Sequence, residues 1–363
     1  MNVLMISTDR TLLRPNGFGD AINRHRQYAS RVERLDILVL AKKRTQRNQL
    51  AENCLVEPVY FWRAKPMINA VCRRHPYDLV VCQDPFLTAT FGRHVKERLK
   101  EAKLIIHFHG DFFDNPYWLK EQWRNRWYRR LAENNITQAD SIRAVSGAIK
   151  QKLVNRGIEA HNIYVIPTPV NLEAFVVEPA PRTKPIVLTV GRMVKAKDFP
   201  TLIAAAARVA SQVPNLEWLI AGDGPLRQTL MEKTKDQPYL RWLGNVNHDQ
   251  LKTYYQQANA VVMTSSNESF GKVFLEAAMA RVPAVATDTA GAREIIIDGE
   301  SGYIVPIGDA VRCAERVTYL LQQPQLAATM GRRAYEIVSQ KFGWQKSIDA
   351  IIAMWQQTAK TGG

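Results

Sequence analysis

The feature that most restricts the fold of this chain is a repeated alternation: strand-sized apolar runs follow one another with helix-forming stretches between them, in both halves of its 363 residues. Residues 3–7, 37–41, 79–82, 104–108 and 163–166 are such runs in the first half. Residues 186–190, 218–221, 261–264, 284–286 and 303–305 are their counterparts in the second. Strands of this kind, joined through helices, pair in parallel, so the pattern predicts α/β architecture. The alternation is interrupted once, by Pro167, Pro169, Pro179, Pro181 and Pro185, because such a cluster sustains neither a helix nor a strand ladder. The reading is two Rossmann-like, doubly wound domains: residues 1–170, a linker at 171–185, and residues 186–342. Beyond them, Ile348, Ile351, Ile352 and Trp355 form the apolar stripe of a last helix.

Length supports two domains, each with its own core. No apolar run approaches the roughly 18 to 20 residues that cross a bilayer, and Val3, Leu4, Met5 and Ile6 lead at once into Asp9 and Arg10, unlike a signal peptide. The expectation is a cytoplasmic protein. Cys54, Cys72, Cys82 and Cys313 have no zinc or redox spacing and read as reduced core residues.

The densest chemistry surrounds Glu268 and Glu276. The run at 261–264 ends in Ser265, Ser266 and Asn267, and a helix is predicted over 271–280. One carboxylate then sits at the strand's carboxyl end, where open α/β sheets bind ligands, and the other on the helix about two turns on. Backbone amides of Gly271, Lys272 and Val273 lie between them, an arrangement suited to a phosphate with hydroxyl-bearing groups on either side. Arg192 and Lys197 follow the run at 186–190 into the same region. Cations there would stabilise a diphosphate as it leaves. Asp198, next to Lys197, is expected to neutralise it in part. Pro15-Asn16-Gly17-Phe18-Gly19-Asp20 offers a further phosphate contact through Gly17 and Gly19, although Ile22 stands where a dinucleotide fingerprint needs its third glycine.

Several blocks in order resemble the retaining glycosyltransferases of family 4, which have the GT-B fold. They are Val190-Gly191-Arg192 with Lys197, Ala221-Gly222-Asp223-Gly224-Pro225, Leu243-Gly244-Asn245-Val246, the paired glutamates, and Pro283-Ala284-Val285-Ala286-Thr287-Asp288, preceded by Ala144-Val145-Ser146 and Val165-Ile166-Pro167. The resemblance implies two domains facing each other across a crevice, with the helix at 343–360 crossing back onto the first. It implies a UDP- or GDP-linked sugar donor, with Glu276 on the ribose, Glu268 and the amides of Phe270 and Gly271 on the sugar, and Val246 at the base. Arg192 and Lys197, beside Gly191, would take the diphosphate, the loop with Gly17 and Gly19 would close over it, and His109 of His109-Gly110-Asp111 would face the donor sugar. No metal or other cofactor is expected. His107 and His109 have no third ligand in an obvious pattern, and the sequence lacks Asp-x-Asp.

The net charge of +15 is concentrated early, with +10 accumulated through residue 180. Trp118, Arg124, Arg126, Arg129 and Arg130 belong to a basic, aromatic segment on the expected acceptor side. Trp123, Trp127 and Leu131 share one helical face, so the segment is either a core-packing helix or an interfacial one drawn to an anionic membrane or acidic glycan. Nucleic acid is a poorer partner, because no reader motif accompanies the charge. The resulting reading is a metal-independent retaining glycosyltransferase serving a glycan or lipid-linked acceptor in cell-envelope or polysaccharide synthesis, cytoplasmic or peripheral on the inner membrane face. A sugar-nucleotide epimerase on the same fold is the alternative. An oxidoreductase is contradicted by the absent Gly-x-Gly-x-x-Gly.

Overall fold

Among the residues described by the computed structural model, 1–14, 20–178, 180 and 184–361, the strands gather into two sheets. Gly17, Gly19, Pro179 and Pro181 lie outside the described residues. The chain divides into two units, one formed by Met1–Val170 with Trp344–Gly363 and the other by Asn171–Gly343.

Unit one is built on β1 (Asn2–Ser7), β2 (Arg34–Ala41), β3 (Asn48–Ala51), β4 (Cys54–Tyr60), β5 (Leu79–Cys82), β6 (Lys103–Phe108), β7 (Ser141–Ala144) and β8 (Ile163–Val165), in spatial order β3-β4-β2-β1-β5-β6-β7-β8. All pairs are parallel except the edge pair β3 with β4. β1 lies between β2 and β5, with Val3 opposite both Leu35 and Leu79. Its helices are α1 (Asp20–Ala29), α2 (Ala64–Cys72), α3 (Leu87–Arg98), α4 (Pro116–Glu121), α5 (Asn125–Ile136) and α6 (Gly147–Val154). The connections carrying α2, α3, α5 and α6 all step in one direction across the sheet, so right-handed crossover puts these helices on one face. The opposite step from β1 to β2 puts α1 on the other.

In unit two, β9 (Ile186–Val190), β10 (Glu217–Ala221), β11 (Leu240–Gly244), β12 (Ala260–Met263), β13 (Ala284–Thr287) and β14 (Gly302–Val305) form a parallel sheet in the order β11-β10-β9-β12-β13-β14. Its helices are α7 (Phe199–Ala210), α8 (Arg227–Lys233), α9 (His248–Gln257), α10 (Lys272–Met279), α11 (Ala290–Ile295), α12 (Ala310–Gln322) and α13 (Pro324–Lys341). The chain winds outward from β9 through β10 to β11, then crosses back to β12 on the other side of β9. Strand order therefore reverses between β9 and β12. Leu172 and Phe175, just after the division, are buried, and Phe175 meets Tyr255 edge-on at 5.7 Å.

The final helix, α14 (Trp344–Lys360), returns to unit one. Ile348, Ile351, Ile352 and Trp355 enter the same apolar cluster as Ile22 and Tyr28 of α1 and Val3, Met5, Leu35 and Ile37 of the sheet. The four cysteines are free, three of them buried and Cys72 partly so.

Candidate active site

The reversal between β9 and β12 creates a gap at the strands' carboxyl ends, where no connecting helix crosses. Both exits are pinned there. Thr264 Oγ1 donates to the carbonyls of Lys197 at 3.2 Å and Asp198 at 3.0 Å, and the Ser266 amide donates to the Ala196 carbonyl at 2.9 Å. Thr287 Oγ1 ties β13 to the same loop through the Ser265 carbonyl at 2.6 Å. Gly222 closes the third side. A Cβ on it would stand 2.0 Å from the Gly191 carbonyl oxygen, so only glycine lets the β10 exit press against the β9 exit.

Within this frame Lys197 forms a salt bridge with Glu268, both side chains about one-fifth exposed. The second Glu268 oxygen accepts from the Gly271 amide at 3.3 Å. The Gly271 amide, one of those expected to face a phosphate, therefore has a carboxylate partner three residues earlier in the chain. Asp198 is not the partner of Lys197. Held at a left-handed φ of 43°, it is the N-cap of α7, with Oδ1 accepting from the Thr201 amide at 3.4 Å and Oδ2 from the Thr201 hydroxyl at 2.6 Å.

Gly271, at φ 68°, precedes α10 and turns the chain sharply so that Lys272 and Val273 open the helix at the gap. Phe270 lies in the same loop, packed edge-on against Phe342 at 6.1 Å. One turn into the helix, Glu276 is only 4% exposed. Tyr255 of α9 donates to Glu276 Oε2 at 2.8 Å, and Lys272 Nζ stands 3.6 Å from Oε1. Burial, reinforced by that carboxylate, holds the Tyr255 phenol well above its ordinary pKa, so it stays a donor. Arg192 is exposed and, with Gly191, Asp223, Asn245, Val246 and Leu251, lines a cavity of about 650 Å³. Lys197, Glu268 and Gly271 thus lie on the exits of β9 and β12, Glu276 lies one turn into α10, and Val246 follows β11 at the cavity wall.

In unit one, His109 follows β6 and its Nε2 donates to Gln83 Oε1, beyond β5, at 3.1 Å. His107 is buried, with its ring centroid 5.6 Å from that of His109. Arg143 Nη1 donates to His107 Nδ1 at 3.4 Å, while Nε and Nη2 donate to the carbonyls of Ile166 at 3.0 Å and Pro167 at 2.8 Å. Burial and then the Arg143 charge hold the His107 pKa well below the ordinary value, so this imidazole is neutral. Among the described residues no group of three or more His, Cys, Asp or Glu side chains is placed to hold a metal ion.

The basic aromatic segment differs from both readings of it as one helix. It is two helices, α4 and α5, and neither Trp123 nor Trp127 is core: both are exposed. Trp118 does not join them. It is half-buried, stacked on Phe86 at 5.7 Å and packed on Phe112 at 5.2 Å, because Asn115 caps α4 and turns this face inward. Arg129 pairs with Glu133 at 3.4 Å, whereas Arg124, Arg126 and Arg130 are exposed. Sequence reasoning missed Gln83, Arg143 and Tyr255, whose roles come from partners far along the chain and leave no local signal. Gly291 was also missed. Its amide donates to the Glu268 carbonyl at 2.7 Å, and a Cβ on it would lie 2.8 Å from the Phe270 nitrogen.

Two α/β sheets with a ligand gap at a strand-order reversal define an enzyme of the GT-B class. Residues 171–337 match the family profile described as Glycosyl transferases group 1, and residues 46–174 match Glycosyltransferase Family 4. Together the two matches span residues 46–337, and both describe glycosyltransferases. It is 27% identical to EpsD of Bacillus subtilis over 283 residues, 73% of each protein. To the capsular polysaccharide biosynthesis glycosyltransferase CapM of Staphylococcus aureus it is 29% identical over 177 residues, 47% of this chain and 46% of CapM, so it matches less than half of that relative's length. The crystal structure of Anabaena HepE in complex with UDP shares the fold with a TM-score of 0.80 at 19% identity, covering 98% of this chain and all of that one. No helix among the described residues is long and apolar enough to cross a membrane.

Proposed function

We propose that this glycosyltransferase moves a hexosyl group, with retention and without a metal ion, from a UDP- or GDP-linked sugar to a glycan or lipid-linked acceptor in cell-envelope or polysaccharide synthesis. The observation that carries the proposal is the convergence of Arg192, the Lys197–Glu268 pair and the start of α10 at the strand-order reversal of unit two. As the bond from the anomeric carbon to the diphosphate oxygen breaks, negative charge grows on the diphosphate. Two cations and helix-terminal amides stabilise that charge more than they stabilise the bound donor. Glu268, already tied to Lys197 and the Gly271 amide, is the acceptor for sugar hydroxyls, and Glu276, braced by Tyr255, is the acceptor for ribose hydroxyls. Val246 serves the base from the cavity wall. His109 is assigned to the reacting sugar. The departing phosphate takes the acceptor's proton as the new glycosidic bond forms on the face it leaves. The UDP held by HepE and the polysaccharide role in CapM's name support the donor and pathway classes.

The test is a panel of UDP-, GDP- and ADP-sugars with purified protein, read by thermal shift and by NMR of the product's anomeric proton. Transfer from an α-linked donor to give an α-linked product is expected, with activity intact in EDTA. A β-linked product would overturn retention. Loss in EDTA with rescue by Mn²⁺ would overturn metal independence. Conversion of the donor to its epimer without transfer would replace the proposal with the epimerase reading.

A further inference from the structure

We propose that unit one docks on an anionic bilayer through two segments distant in sequence, 61–65 and 123–130, that the fold brings to one face. Trp123 is 86% exposed, Trp62 71%, Phe61 58% and Trp127 50%, among the largest exposures of any apolar side chain in the protein. Phe61 and Trp62 lie just before α2, and Trp123 and Trp127 bracket the start of α5. The helices α2, α3 and α5 share one side of the sheet, and α3 packs against both of the others.

Each segment packs an aromatic ring on α3 or its N-cap. Phe61 meets Phe91 of α3 edge-on at 6.2 Å. Five residues earlier, at the N-cap of the same helix, Phe86 lies 5.1 Å from Tyr128, whose ring is 5.3 Å from Trp127. Phe91 is buried and Phe86 and Tyr128 are half-buried, and the exposed Phe61 and Trp127 rest on them. Cations surround them: Arg63, Lys65, Arg124, Arg126 and Arg130 are exposed, and among the described residues none is in a salt bridge.

Exposed indoles interleaved with exposed cations fit an anionic lipid surface better than they fit a soluble glycan. Indole rings partition to the headgroup level, where their apolar bodies leave water and their N–H groups stay hydrated. The cations answer the negative surface potential, which extends over roughly a Debye length of about 8 Å and so needs no specific contact. The inference names a surface for the acceptor-side unit of the enzyme proposed above, but its test involves no turnover, so either can fail alone.

The experiment is co-sedimentation of the full chain with vesicles of phosphatidylcholine alone or mixed with phosphatidylglycerol, at low and high salt, with tryptophan emission recorded. Binding to the anionic vesicles with a blue shift, weakened by salt, is expected. Replacing Arg124, Arg126 and Arg130 by Gln should lower affinity about fivefold per cation. Trp62→Ser and Trp123→Ser should each weaken binding with unchanged melting temperature and UDP affinity. Absence of vesicle binding would overturn the proposal, as would retention on a soluble acidic polysaccharide in its place. A loss confined to Trp123→Ser, with Trp62→Ser behaving as wild type, would overturn the two-segment surface.

Discussion

Lys197 and Glu268 neutralise each other at the ends of β9 and β12, so in the proposed reaction an arriving diphosphate would exchange one anionic partner of the lysine for another. Arg192, exposed at the cavity, needs no such exchange. Arg192→Ala and Lys197→Ala are each expected to lower kcat about 10²- to 10³-fold in steady-state assays. Because Lys197 and Glu268 share an interaction, Lys197→Ala with Glu268→Ala should lose less than the sum of the single effects, whereas Arg192→Ala should combine additively. Glu276 behaves differently, since it accepts from a buried phenol. Glu276→Ala should cost about 1 to 3 kcal/mol in urea unfolding by stranding the Tyr255 hydroxyl, and Glu276→Gln much less, while both raise donor KM. Away from the site, His25 donates from Nδ1 to the Ala21 carbonyl at 2.6 Å, and burial, then Arg24, lowers its pKa to about 4. A histidine depressed on folding contributes stability above its unfolded value near 6.5, and that contribution is lost as pH falls towards 4. Melts across this window should show a loss on the order of 3 kcal/mol. His25→Gln, which can donate but not titrate, should flatten the slope.

At the scale of elements, the sequence is legible where strands are pure. Residues 79–82 and 186–190 read as they fold, and helix α10 lies within a residue of its expected ends. β4, β7 and β11 escape the same reasoning because Glu57 and Pro58, Arg143, and Arg241 break their apolar runs, while sheet pairing alone decides them. The two glutamates are legible because their spacing across a strand-to-helix turn fixes both positions. Asp198 is not, because capping and charge pairing demand the same residue type. The cap now makes a distinct expectation. Asp198→Asn keeps the acceptor and tolerates left-handed backbone, so thermal stability and kcat should stay near wild type. Asp198→Ala loses the cap and is strained at φ 43°, which should cost about 2 kcal/mol. Loss of activity in a stable Asp198→Asn protein would restore the aspartate to the chemistry.

For the molecule as a whole, the charge excess in the first 180 residues is plain from composition, but only the fold gathers part of it beside Trp62 and Trp123. Unit two is continuous in sequence and contains its whole sheet and core, so the fragment 171–343 should fold alone and bind UDP, as melting with and without the nucleotide would record. The fragment 1–170 lacks α14 and should fail to show a cooperative transition. During synthesis this inverts the usual order. Residues 1–170 leave the ribosome first, yet their sheet presents an uncovered apolar surface until residues 344–360 have been made, by which time unit two has had its entire sequence available. The earliest-made half is therefore the last to mature and the one that chaperones would have to hold. Pulse proteolysis of stalled nascent chains would register protease resistance in unit two first.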